Sequence, residues 1–112
     1  MRFEWDPKKE RSNRSKHGIG FSLATLIFND PNILSRLDER TGDGERRWNS
    51  IGIPVPESGA PLHVTHTVKE DEGGEEVIRI ISTRKATKNE RALYFGPLPG
   101  DEGRSGLPQG PK

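Results

Sequence analysis

The sequence has no cysteine among its 112 residues. Disulfides, iron–sulfur clusters and thiolate zinc sites are therefore excluded, and the chain suits a reducing compartment. Apolar material is also scarce. Hydrophobic residues make up 29% and aromatic residues 6%, and the mean hydropathy is -0.86. Leu, Ile, Val and Phe together number 24, just above the composition at which chains stay disordered. No apolar run approaches the length that spans a bilayer. The opening stretch MRFEWDPKKERSNRSKHG has no hydrophobic segment of the secretory kind, so no signal peptide is expected. The length allows one small domain rather than a large multidomain enzyme. These absences lead to the expectation of a small cytoplasmic domain with a lean core.

What is present is charge, unevenly placed. The formal net charge is only +1. Residues 1–18 sum to +3 and residues 79–91 to +4, whereas residues 38–76 sum to −6. Electrostatic fields follow such distributions more than the net value. If the two basic segments meet in the fold, they make a patch suited to phosphate or to an acidic partner. If they do not, they are ordinary solvated surface.

The pattern of residues predicts an α+β domain over residues 1–95 and a flexible Gly/Pro-rich tail over 96–112. Arg2-Phe3-Glu4-Trp5 alternates as a half-buried strand does. Asp6-Pro7 opens a helix over 7–17, and Gly18 closes it. This helix has no large apolar residue, so core packing gives it little support. Phe21–Phe28 reads as a second helix and the main source of core side chains, ended by Asp30-Pro31. Strands are expected at 32–38 and 46–53 across a turn at 41–44, then a loop at 54–61. Two further strands, 62–68 and 77–83, form a hairpin through 69–76. Thr87 and Glu90 make a capping box for a last helix over 88–95. The whole reads as an antiparallel β-sheet with two N-terminal helices and one C-terminal helix.

Four blocks in this frame resemble one family. Asp6, Lys9, Asn13, Lys16-His17-Gly18, Phe21, Ala24 and Phe28-Asn29-Asp30 resemble the N-terminal signature of the BrnT toxins. Arg47-Trp48-Asn49-Ser50-Ile51-Gly52 resembles that family's Arg-aromatic-x-x-aliphatic-Gly. Leu62-His63-Val64-Thr65-His66-Thr67 resembles its L-x-V-x-H-T strand. The run Arg79-Ile80-Ile81-Ser82-Thr83-Arg84-Lys85-Ala86-Thr87, with Glu90-Arg91 and Tyr94, resembles R-I-I-S-x-R-x-A-x-x-x-E-R-x-x-Y and is the strongest match. The blocks stand in the family's order and span about residues 3–94. The first helix departs from the pattern: PKKERSNRSKH is more basic than the family's usual mixture with small apolar residues. The resemblance implies a RelE-like fold and an endoribonuclease toxin of a type II toxin–antitoxin system that stops translation by cleaving RNA. It also implies a cognate antitoxin partner, through which operator DNA is bound indirectly. No membrane is involved.

RNA cleavage without a metal uses the neighbouring 2′-hydroxyl as nucleophile. It needs a base, an acid and cations that stabilise the phosphorane. No metal ligand set and no cofactor is expected. On helix 7–17, Lys9, Asn13, Lys16 and His17 fall along one stripe, which reads as a phosphate track or as a solvated face. On strand 62–68, Leu62, Val64, His66 and Val68 share the apolar face. His66 is then either a hydrogen-bonded core histidine or a partly buried acid or base. His63 points the opposite way, so the two histidines do not form a metal pair. Arg79 is placed on a face with Val77, Ile81 and Thr83, and Arg84 just past the strand end beside Lys85. Either guanidinium can grip a phosphate oxygen with two hydrogen bonds, though Arg79 can equally serve a structural ion pair with the acidic middle segment. Arg47 is a further phosphate candidate. Glu90 belongs to the capping box, which leaves it a lesser candidate for general base. By analogy with RelE-like toxins, late basic and aromatic residues carry chemistry, which supports Arg84, Arg91 and Tyr94. The expected catalytic set is Arg84, Arg79, His66 and Tyr94. The expected RNA-binding set is Lys9, Asn13, Lys16, His17, Arg47, Lys85 and Arg91. The alternative is a non-catalytic nucleic-acid-binding or protein-interaction module that uses the same basic surface.

Overall fold

A computed structural model describes residues 1–39 and 45–96. The turn expected at 41–44 and the tail from 97 onward lie outside the described residues. The elements are β1 (Arg2–Glu4), α1 (Pro7–His17), α2 (Phe21–Thr25), β2 (Leu34–Asp38), β3 (Arg47–Gly52), β4 (Leu62–Glu70), β5 (Glu76–Lys85) and α3 (Lys88–Phe95). A 3-10 turn over Leu26–Asn29 follows α2, so the apolar run expected as one helix is an α turn that tightens into a 3-10 turn at its C-terminal end. A shorter 3-10 turn, Pro56–Ser58, interrupts the loop before β4.

The five strands form one sheet in the order β1-β5-β4-β3-β2. Strands β2 to β5 pair antiparallel as a meander. The sheet is nevertheless mixed rather than wholly antiparallel, because β1 pairs with β5 in parallel, Phe3 opposite Ile78 and Glu4 opposite Arg79. The cause is topological. The N-terminal helices carry the chain to the far edge, and the meander returns strand by strand, so its last strand arrives running the same way as β1.

The N-terminal helices pack on one face of the sheet. Ile19, Phe21, Ala24 and Ile27 meet Leu62, Val64, Ile78 and Ile80, with Phe3, Trp5, Phe28 and Ile33 around them. Gly52 makes this close approach possible. A side chain there would meet Ile27 Cβ at 2.9 Å and the Ile27 carbonyl at 3.2 Å. Helix α1 adds no apolar side chain to this core. Its ends are set by Asp6, whose carboxylate accepts from the Lys8 N–H at 2.9 Å, and by Gly18 in the left-handed region at φ 74°. Its middle is held by Asn13, its one buried residue.

Asn13 acts as a one-residue substitute for a strand. Beyond Arg79, β1 no longer covers the edge of β5. There the Asn13 amide donates to the Thr83 carbonyl at 2.9 Å, and its oxygen accepts from the Thr83 N–H at 3.1 Å. The same amide also donates to the Ile19 carbonyl at 3.2 Å. The two basic segments of the sequence thus do meet, with α1 lying along β5.

One irregularity sets which side chains face outward. Opposite β4, the pairing steps from Thr65–Ser82 to His66–Ile80, so Ile81 is an extra residue in β5. Leu62, Val64 and His66 face the helices as the period of two predicts. Val68, on the same side, is exposed because it lies past the core cluster. In β5 Arg79 keeps a face with Val77, but the bulge at Ile81 breaks the expected grouping with Thr83. Thr83 pairs with Val64 on the helix side, whereas Arg79 pairs with Thr67 on the other. Arg79, Ser82 and Arg84 consequently share the face that the α1 and α2 helices leave open.

Candidate active site

Two rungs of the open face carry the polar groups. One is Asn49–Thr65–Ser82, and the next is Ile51–His63–Arg84. Beside them, the first turn of α3 brings in Glu90, and the last turn of α1 brings in His17. Together with Thr83, these side chains line a polar cavity of about 440 Å³, namely His17, Asn49, His63, Thr65, Ser82, Thr83, Arg84 and Glu90.

Glu90 organises the site. Its carboxylate takes two hydrogen bonds from Arg84, at 2.8 and 2.9 Å, in the fork-to-fork geometry that favours charge. It also closes the capping box by accepting from the Thr87 N–H at 2.9 Å, while the Thr87 hydroxyl accepts from the Glu90 N–H. Its second oxygen lies 3.8 Å from Nε2 of His63. The Arg84 bonds, helped by Thr87 and His63 against partial burial, hold the carboxyl down at about 2. Glu90 in turn raises Arg84 further above its ordinary value. Arg84 also donates to the Lys85 carbonyl at 3.2 Å. Its Nε–H and one Nη2–H have no protein partner among the described residues, so they remain available to a ligand. Within the rung below, the Thr65 hydroxyl donates to Oδ1 of Asn49 at 2.9 Å. Thr83 Oγ1 is buried without a hydrogen-bond partner among the described residues.

The structure brings together Arg84 and His17 from the residues singled out in the sequence, and it adds His63, Glu90, Asn49, Thr65 and Ser82. His63 carried a legible signal, since the period of two already turned it away from the core. Nothing local marked Glu90 as an Arg84 partner, because its capping role explained its position. Asn49, Thr65 and Ser82 become neighbours only through the strand register.

The other candidates lie elsewhere. His66 is 2% exposed and faces the helices. Its ring meets Phe28 edge-on at 4.9 Å, and Nε2 lies 2.7 Å from the Ser50 hydroxyl. Burial, with a small push from His63, lowers its pKa to about 4 despite the Thr67 carbonyl, so it is neutral at pH 7. Tyr94 donates its hydroxyl to Asp30 at 2.5 Å. Burial and that carboxylate push the phenol up to about 12. Arg79 sits on the open face but pairs with Glu4 of β1 at 3.3 Å, not with the middle segment. Arg91 donates to the Ala86 carbonyl at 3.0 Å. Arg47 lies 3.9 Å from Glu45 at the start of β3. Lys85 is exposed at the strand end, and Lys9 and Lys16 are exposed on α1. Asn13 is 7% exposed and engaged with Thr83, so the stripe imagined on α1 reduces to Lys9, Lys16 and His17 at the surface. Among the described residues no cluster of His, Asp or Glu could hold a metal ion, and no helix is long and apolar enough to cross a membrane.

No curated protein matches the chain. A family model described as the ribonuclease toxin BrnT of type II toxin–antitoxin systems matches residues 5–90, a range that holds the open-face rungs, His17 and Glu90. That range covers well over half of the 112 residues, and the chain belongs to the BrnT family of ribonuclease toxins of type II toxin–antitoxin systems.

Proposed function

We propose that this protein is a metal-independent endoribonuclease toxin that cleaves RNA at the open-face cavity. The observation that carries this reading is the convergence of His63, Glu90 and Arg84, with His17, on one polar cavity. Two imidazoles supply an acid and a base, and a guanidinium supplies the charge that a phosphorane needs. Nε2 of His63 faces the Glu90 carboxylate at 3.8 Å, and in this reading His63 protonates the leaving 5′-oxygen. His17 is then placed to accept the proton of the 2′-hydroxyl. Arg84 offers its remaining N–H donors to the phosphate, held in place by Glu90. The exposed lysines of α1, Lys9 and Lys16, extend the positive surface away from His17 and suit the flanking backbone. Cleavage of this kind in the cytoplasm would stop translation, and a cognate antitoxin would neutralise it while binding operator DNA on behalf of the complex.

Purified protein incubated with RNA in EDTA tests the reading directly. RNA fragments are expected without any divalent ion. No fragments in EDTA, with activity appearing on added magnesium, would overturn the metal-free mechanism. Arg84→Ala should lower the cleavage rate by roughly 10²–10³ while leaving RNA affinity nearly intact. A protein that only binds would behave differently: it would lose affinity by steps, with a salt slope of about −0.7 per phosphate contact on single strands. In bacteria, induction of the protein alone should arrest growth, and co-expression of the neighbouring small reading frame should relieve the arrest.

A further inference from the structure

The rung Asn49–Thr65–Ser82 lies one step along the sheet from the rung that holds His63 and Arg84. Two residues along a strand is roughly 7 Å, about the reach from a nucleotide's phosphate to the edge of its base. A nucleotide whose phosphate meets Arg84 therefore lays its base over Asn49, Thr65 and Ser82. These three side chains take no part in the proton transfers above, yet all three line the cavity.

Their orientation is defined. The Thr65 hydroxyl donates to Oδ1 of Asn49 at 2.9 Å, whereas the Asn49 amide nitrogen has no hydrogen-bond partner among the described residues, in a residue that lines the cavity. Across Thr65, the Ser82 hydroxyl is a second donor on the same rung. An asparagine free to use both ends reads adenine, by accepting from N6 and donating to N7. One whose oxygen already accepts from a neighbour has one lone pair engaged and presents its donors more readily than its acceptor. A pair of donors complements the edge with two adjacent acceptors, O6 and N7 of guanine, and meets the N6 amino group of adenine donor to donor. Single-stranded RNA exposes these edges.

We propose that Asn49, oriented by Thr65, sets the base preference of the site and favours guanine over adenine at the nucleotide beside the scissile phosphate. This rests on the ribonuclease reading. In that scheme Asn49 is a specificity-determining residue, and Thr65 is a positioning residue that fixes which end of the amide is shown.

The test uses four single-stranded RNA oligonucleotides identical except for one central base, with kcat/KM measured on each. A parallel set in all-deoxy form, which lacks the 2′-hydroxyl nucleophile, is used for binding alone. Wild-type protein should prefer guanine over adenine by roughly tenfold to hundredfold, with the same ranking in the binding set. Asn49→Asp replaces donors by acceptors and should reverse that ranking. Thr65→Val frees the amide to turn and should flatten the ranking. Equal kcat/KM on all four RNAs and equal binding of the four deoxy forms would overturn the proposal. So would Asn49→Asp and Thr65→Val losing activity on all four by the same factor, the result a purely structural cross-strand pair would give. Ranked binding with no cleavage would sink the ribonuclease reading alone, and unranked cleavage would sink base reading alone.

Discussion

His66 shows how one side chain can tie stability to pH. The Thr67 carbonyl can only accept, so Nδ1, 3.3 Å away, carries the ring proton. Nε2 must then accept from the Ser50 hydroxyl at 2.7 Å, which in turn accepts from Ser35 at 2.7 Å. A neutral histidine is thus built into a directed chain of hydroxyls. Its folded pKa of about 4 lies below the ordinary imidazole value of 6.5, so between those values the unfolded chain binds more protons. Stability is full above about pH 6.5 and declines as pH falls toward 4, by up to roughly 3 kcal/mol. Urea unfolding at pH 7, 5.5 and 4 should trace that decline, and His66→Leu should remove the slope over this window whatever its own stability. Glu90 adds a second loss at lower pH. Its carboxyl is held at about 2 against 4.5, so that contribution fades as pH drops below 4.5. The burial of His66 was legible from Val64 and Leu62, two and four residues away. Its partners Ser50 and Ser35 were not, because they come from other strands and only the register joins them.

At the level of elements, α1 and α3 are fastened by polar contacts rather than by apolar burial. Asn13 makes three hydrogen bonds to backbone groups of Thr83 and Ile19. Asn13→Ala leaves those buried groups without partners, and we expect a loss of about 2–3 kcal/mol, measured by chemical denaturation. Asn13→Asp should be worse, since a carboxylate would face two carbonyls. Helix α3 has no buried residue and rests on the capping box, the Arg84–Glu90 pair and the Tyr94–Asp30 bond. Asp30 works against its own burial. The Ile53 N–H, the Tyr94 hydroxyl and the Asn32 N–H together keep it below the usual carboxylate range. Tyr94→Phe should destabilise the fold by about 1.5–3 kcal/mol and speed exchange of the α3 amides. The limits of both helices were legible from Asp6-Pro7, Gly18 and the Thr87–Glu90 spacing, because caps are local chemistry. What supports them was not legible, because the relevant contacts cross up to 70 positions.

Across the whole molecule, the lean composition and the uneven charge have one consequence. Among the described residues most buried apolar side chains form one cluster between the N-terminal helices and one sheet face, and the basic segments meet where α1 runs along β5. The segregation of charge was visible in the sequence, but the contact that joins its two basic parts depends on β5 having a bare edge beyond β1. A domain with so modest a core should respond strongly to a ligand that binds only the folded state. An all-deoxy oligonucleotide at 100 times its Kd should add about 2.7 kcal/mol, which for a domain of this size raises Tm by roughly 10–20 °C. The shift should shrink as salt rises, since the contacts are to phosphate.

The extra residue in β5 amounts to a change of reading frame within a strand. Upstream of Ile81 the odd position Arg79 faces the cavity side, and downstream the even positions Ser82 and Arg84 do. Deleting Ile81 would restore strict alternation and leave Arg79, Ser82 and Arg84 on the face they already share. We therefore expect the single-residue deletion to fold with an unbulged, less twisted β5, and Ile81→Ala, which keeps the count, to fold with the bulge, both showing cooperative urea unfolding. What this position adds is a local bend and twist of the strand rather than a required side chain.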